Sequence, residues 1–200
     1  RLDAASDCRP VATTLTVHSA ATRHRYRAMD EPVRARQTVT PEGKSVAPLI
    51  DGVKIHHPVT HQDERGTLCE VYSRSWKFDD VSMVHAYLVT VRPGKVKGWA
   101  IHHVQIDRYF FVSGTLKLVL YDARKDSPTR GMINEFYFGE LNRALVSVPP
   151  GIYHAVENVG TVDGLMFNIP SEPYRYEAPD KSLLPLENDV IPYSFALNRG

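Results

Sequence analysis

The chain has 200 residues and a formal net charge of +1, from 24 Lys and Arg against 23 Asp and Glu. At 42% hydrophobic it is ordinary globular material, and the charge balance excludes a strongly basic nucleic-acid binder or an acidic solvating tail. No apolar run approaches the ~18 residues of a membrane-crossing helix. Two cysteines, Cys8 and Cys69, are too few to staple the fold, which points to a reducing compartment, the cytoplasm.

Residues 1–48 read as an N-terminal arm. They carry eight basic residues and five acids, with many Ala and Thr and no sustained apolar period. An Arg-rich, acid-poor start fits a transit peptide, a loose arm or a partner-contacting segment. From Leu49 the texture changes to short alternating runs. Strands are expected at Gly52–His57, Thr67–Tyr72, Val84–Val91, Asp107–Val112, Thr115–Tyr121, Met132–Phe138, Ala144–Val148, Ile152–Asn158 and Gly164–Ile169. The clearest is Thr115–Tyr121, where Leu116, Leu118 and Leu120 share one face and Thr115, Lys117 and Val119 the other, as in a half-buried strand. Turn residues punctuate the runs, at Arg92-Pro93-Gly94, Ser113-Gly114 and Pro149-Pro150-Gly151 among others. Nine or ten short strands with almost no helical periodicity predict an all-β jelly-roll barrel or sandwich over residues 49–195, with residues 196–200 as a tail. The Pro- and Tyr-rich stretch after Pro170 is expected to wrap the outside, with room for one helical turn.

Two strings carry more chemistry than the pattern. Pro149-Pro150-Gly151-Ile152-Tyr153-His154-Ala155-Val156-Glu157-Asn158 matches the second cupin motif, Pro-x-Gly-x-x-His-x-x-x-Asn, at every fixed position. In the first motif, His102, Asp107 and Gly114 fit, but Ala100 stands where the first His is expected. On a strand, residues 100 and 102 share a face and His103 points the other way.

From about Gly52 to Tyr193 the sequence resembles the dTDP-4-dehydrorhamnose 3,5-epimerase family of cupins. The matching residues are Asp63-Glu64-Arg65-Gly66 with Glu70, Lys97-Gly98-Trp99, the string from Asp122 to Gly131, Leu141-Asn142, Pro149 to His154, and Asn188-Asp189. The resemblance implies a jelly-roll homodimer that binds a nucleotide-linked sugar and needs no cofactor. Its reaction is removal of a proton beside a 4-keto group by a His and return of one by a Tyr. Carried over residue by residue, the family's base falls on Ala100, its Tyr on Phe167 and its substrate-binding Lys on Asp107, none of which can do the inherited work. Arg65, Glu70, His154 and Asp189 are kept.

Three functions therefore stay open. In the first, a sugar-nucleotide epimerase or isomerase works with a rearranged set: His102 as base, Asp189 or Asp107 as its orienter and Tyr174 or Tyr176 as acid. Arg65, Glu70, Lys97, His154 and Trp99 would then bind substrate. In the second, His102, Asp107 and His154 hold a divalent metal, iron or similar, as two imidazoles and a carboxylate. In the third, the barrel reads a nucleotide sugar without chemistry. Asp107 has a plainer reading too, a rim ion pair with Arg108 or Lys97. Neither nucleic acid nor membrane is expected as a partner, and the edge strands near residues 52–73 are the candidates for a homodimer contact.

Overall fold

The computed structural model describes residue 34, residues 37–43 and residues 45–195. Contacts divide the chain into two units, Arg1–Val46 and Ala47–Gly200. In the first, the described residues form a turn closed by a bridge between Val39 and Ser45. The remainder of the expected arm lies outside the described residues.

The second unit is nearly all strand. Its elements are β1 (Lys54–His56), β2 (Thr60–Asp63), β3 (Gly66–Cys69), β4 (Tyr87–Val91), β5 (Val96–Ile101), β6 (Asp107–Ser113), β7 (Thr115–Asp122), β8 (Ile133–Gly139), β9 (Leu145–Val148), β10 (Ile152–Asn158), β11 (Gly164–Asn168) and β12 (Ser182–Leu183). One sheet runs β1-β9-β6-β11-β4, the other β12-β5-β10-β7-β8, and β2-β3 form a separate hairpin. Every pairing is antiparallel, and consecutive strands often lie in opposite sheets, so the two layers close over one another as the expected jelly roll.

Alternation explains the core. Leu116, Leu118 and Leu120 of β7 turn inward, where they meet Tyr109, Phe111, Val146, Ile152, Val156 and Met166 from both sheets. The opposite face of β7 is buried as well, which corrects the half-buried expectation. The C-terminal segment folds over it, and Ile191 and Phe195 pack on Val119, Ala155 and Trp99. Lys117 is enclosed there, its ammonium 2.6 Å from the Glu157 carboxylate and 5.7 and 5.5 Å from the ring centres of Tyr193 and Phe195. The wrapping tail is therefore present, but it carries the short strand β12 and no helix among the described residues. Among the described residues the one helical turn is a 3-10 turn at Arg74–Trp76.

β5 and β10 approach closely where the cupin motifs meet. His154 pairs with Ala100 but Val156 with Lys97, so β5 carries one extra residue, a bulge. Gly98 makes the approach possible. It has φ +145°, and a Cβ there would lie 2.4 Å from the Ala155 Cβ. Beyond the bulge, Ala100 and the residue following Ile101, His102, stand at the mouth of the barrel.

Candidate active site

The mouth is built by register. In the first sheet Tyr109 of β6, Asn168 of β11 and Tyr87 of β4 are directly opposed, and directly opposed residues share a face. They form one row facing the interior, with Asp107 two residues before Tyr109 on the same face. The second sheet supplies His154 from β10 and His102 from the end of β5. A cavity of about 90 Å³ opens between these walls, lined by Tyr87, His102, Gln105, Tyr109, His154 and Tyr174 among others.

Asp107 is the hub, and it is 1% exposed. One of its oxygens accepts from Gln105 Nε2 at 2.7 Å and Asn168 Nδ2 at 2.8 Å. The other accepts from the Tyr109 hydroxyl at 2.6 Å and lies 3.2 Å from His102 Nε2 and 3.5 Å from His154 Nε2. The two imidazoles are stacked, 5.6 Å apart and 10° from parallel. Away from the carboxylate each ring is held by a backbone carbonyl: His102 Nδ1 by Asp180, and His154 Nδ1 by Ile152 at 3.4 Å. The Asp180 carboxylate in turn accepts the backbone N–H of His103, Val104 and Gln105, which fixes the loop that follows β5.

These surroundings drive the two imidazoles apart. Burial would lower His102, but its hydrogen bond to Asp107, the Asp107 charge and the Asp180 carbonyl outweigh it and raise the ring above its ordinary value. Burial dominates at His154, which is lowered to about 4 against the opposing pull of Asp107, so the ring is neutral. For Asp107 itself burial works upward, yet the His102 hydrogen bond, the two imidazoles and Tyr109 hold the carboxyl well below the usual carboxylate range. An imidazole shifted upward, one shifted downward and an ionised carboxylate thus share one floor.

The structure brings together His102, Asp107 and His154, with Tyr174 on the same cavity. It does not bring the other sequence candidates there. Trp99 is fully buried on the outer face of its sheet, because the bulge in β5 turns it beneath Ile191 and Phe195. Lys97 is exposed behind that bulge. Asp189 is exposed in the C-terminal segment, and the carboxylate against His102 is Asp107. Arg65 projects from the β2–β3 hairpin with its guanidinium on Asp63, and Glu70 follows the same hairpin; neither lines the cavity. The rim-pair reading of Asp107 gives way as well, since Arg108 is fully buried against Asp79 and the carbonyls of Ile169, Val81 and Ser82.

Phe167 faces away from the mouth into an outer cluster with Phe110 and Leu145. The inward residues of β11 are its neighbours Met166 and Asn168, as strand parity requires. Sequence reasoning passed over Tyr87, Asn168, Gln105 and Asp180. Parity within the runs expected at Val84–Val91 and Gly164–Ile169 could have marked the first two. No local signal marks Asp180, which reaches the mouth only through the path of the tail.

Four observations bear on ancestry. A family model described as the polysaccharide biosynthesis C-terminal domain matches residues 61–182. A probable low-salt glycan biosynthesis epimerase of Haloferax volcanii is 32% identical over 141 residues, which is 70% of this chain and 90% of that protein. Among solved structures, a dTDP sugar isomerase from Desulfovibrio desulfuricans superposes with a TM-score of 0.68 at 25% identity, covering 75% of this chain and 96% of that one. A dTDP-4-dehydrorhamnose 3,5-epimerase from Bacillus anthracis shares the fold, with a TM-score of 0.64 at 19% identity over 74% of this chain and 87% of the other. The chain belongs to the polysaccharide biosynthesis C-terminal domain family, and it does so as a cupin of the dTDP-4-dehydrorhamnose 3,5-epimerase-like fold.

Proposed function

We propose that this cupin is an epimerase-like enzyme that takes a nucleotide-linked sugar bearing a ketone and moves a proton at the carbon beside it. One observation carries the reading: two stacked imidazoles face a single buried carboxylate in the mouth of the barrel. A ketone acidifies the neighbouring C–H, and its removal needs a neutral base and a fixed donor for the enolate oxygen. His154 is the neutral imidazole, with Nε2 facing the mouth. His102, expected from the sequence as the base, has both ring nitrogens engaged, Nδ1 by the Asp180 carbonyl and Nε2 by Asp107, so it has no free nitrogen for the substrate and acts by positioning Asp107 beside His154. Ala100, opposed to His154, adds no bulk where the sugar must enter. This reading uses no cofactor, and the cytoplasm is its compartment.

Arg65 and Glu70 serve such a site from a second copy of the chain. Their hairpin is exposed on both faces, with Val59 and Leu68 open to solvent, as a homodimer contact would require.

A second reading has its own support. The ligand atoms of His102, Asp107 and His154 all lie within 4.8 Å of one another, and each imidazole has its Nδ1 on a carbonyl, the outer support usual for a metal-ligating Nε2. A divalent ion there would polarise the ketone oxygen directly.

The test is proton exchange. Incubated in D2O with a dTDP-linked 4-keto-6-deoxyhexose, the protein is expected to place deuterium beside the ketone, as followed by NMR. H154N is expected to slow this by about 10²–10⁴-fold, the usual contribution of a general base. No exchange by the parent protein, with dTDP still bound, would leave a binding module. Stoichiometric metal in the purified protein, with exchange abolished by chelation, would favour the second reading.

A further inference from the structure

Inversion at carbon needs a second group, placed so that the proton returns on the face opposite the base. The two walls of the mouth supply that geometry. His102 and His154 stand on the β5–β10 wall, and the Tyr109–Asn168–Tyr87 row stands on the β6–β11–β4 wall facing them. We propose, on the strength of the functional reading above, that Tyr87 is the acid that returns the proton.

The hydrogen bonds of Asn168 decide how the Tyr87 hydroxyl is oriented. Its amide nitrogen lies 2.8 Å from an Asp107 oxygen and 2.8 Å from the Tyr87 hydroxyl. An ionised carboxylate can only accept, so the –NH2 must face Asp107, and its second hydrogen goes to the Tyr87 oxygen. Tyr87 therefore accepts within the network, and its own proton is left to point elsewhere. Among the described residues no acceptor takes that proton, and the hydroxyl lines the same cavity as both imidazoles. Burial and the nearby Asp107 charge raise the phenol above its ordinary value, which keeps the proton in place for donation.

The other hydroxyls are less suited. Tyr109 is buried, and its proton is committed to Asp107 at 2.6 Å. Tyr174 is on the tail, its ring packed edge-on against Tyr176, and no hydrogen bond among the described residues sets its orientation. Phe167 has no hydroxyl and faces the outer cluster.

The step balances without any further reagent. The C–H bond beside the ketone breaks, its electron pair enters the enolate, and the proton goes to His154 Nε2. On the opposite face a new C–H bond forms as the Tyr87 O–H breaks, and the phenolate keeps that pair. Asn168 Nδ2 donates to the phenolate oxygen until water restores the proton, and the open mouth admits that water.

The experiment separates exchange from inversion. The probe is a dTDP-linked 4-keto-6-deoxyhexose in D2O, with deuterium content and configuration read by NMR for the parent, Y87F and Y174F. Thermal melts of all three check that each is folded. The parent is expected to exchange and invert, and Y174F to keep the parental ratio of inversion to exchange. Y87F is expected to keep exchange within a few-fold of the parent while inversion falls by about 10² or more. Inversion by Y87F at the parental rate, or its loss in Y174F alone, overturns the Tyr87 assignment and leaves the reading of the imidazoles standing. A parent that neither exchanges nor inverts overturns both.

Discussion

Single residues show how differently buried charge is handled here. Asp122 accepts hydrogen bonds from the Arg124 backbone and guanidinium and from the hydroxyls of Ser127 and Thr129. Arg124 is thus tied to it. Burial works to raise the Asp122 carboxyl, but the Arg124 pairing and the two hydroxyls hold it well below the usual carboxylate range. A carboxyl depressed on folding stabilises the native state above its unfolded value near ~3.9, and that contribution is lost as pH falls below it. Urea midpoints of the parent are expected to drop as pH falls below about 4. Asp122→Asn is expected to be less stable at pH 6 and to show a flatter acid limb. An acid limb as steep as the parent's would assign the effect to other carboxylates.

At the scale of elements, the meeting of β5 and β10 sets the mouth. Gly98 lets the β5 backbone lie against Ala155, and the extra residue there turns Trp99 outward and Ala100 inward. Gly98→Ala is expected to cost about 2–4 kcal/mol, within the range of overpacked or strained positions, read as a fall in the denaturant midpoint. A shift under ~0.5 kcal/mol would mean the strands separate freely at this point.

Parity made most strands legible in the sequence. Every run expected from Thr115 to Ile169 has its strand, and Leu116, Leu118 and Leu120 are in the core they were expected to form. Parity fails at a bulge, because one extra residue reverses every face beyond it. Trp99, placed at the substrate from its family string, lies on the face opposite Ala100 and is packed beneath the C-terminal segment. The His102–Asp107–His154 set was legible because the cupin spacing survives. The Asn168 and Asp180 contacts were not, since they depend on which strands become neighbours and where the tail runs.

Across the whole molecule, the outer face of the β12-β5-β10-β7-β8 sheet depends on the last segment of the chain. Ile191 and Phe195 cover Trp99, Val119 and Ala155, and the Lys117–Glu157 pair lies under the rings of Tyr193 and Phe195. Losing one partner of a buried pair costs more than replacing both with apolar groups, because it strands the other charge. Lys117→Met is expected to destabilise by about 3–5 kcal/mol, measured by chemical denaturation. The double variant Lys117→Met/Glu157→Leu should recover most of the loss, and a double variant as unstable as the single one would locate the defect in packing.

The tail has one more consequence, in time rather than space. His102 and the loop after β5 are held by Asp180, which follows every strand of the barrel except β12. On the ribosome, the two sheets can therefore be nearly complete while the imidazole has Asp107 on one side and not yet Asp180 on the other. A chain cut short before residue 180 would hold the strands through β11 yet lose both the Asp180 contacts to His102 and the cover over Trp99, Val119 and Ala155, so the mouth and the outer face are completed together, and last.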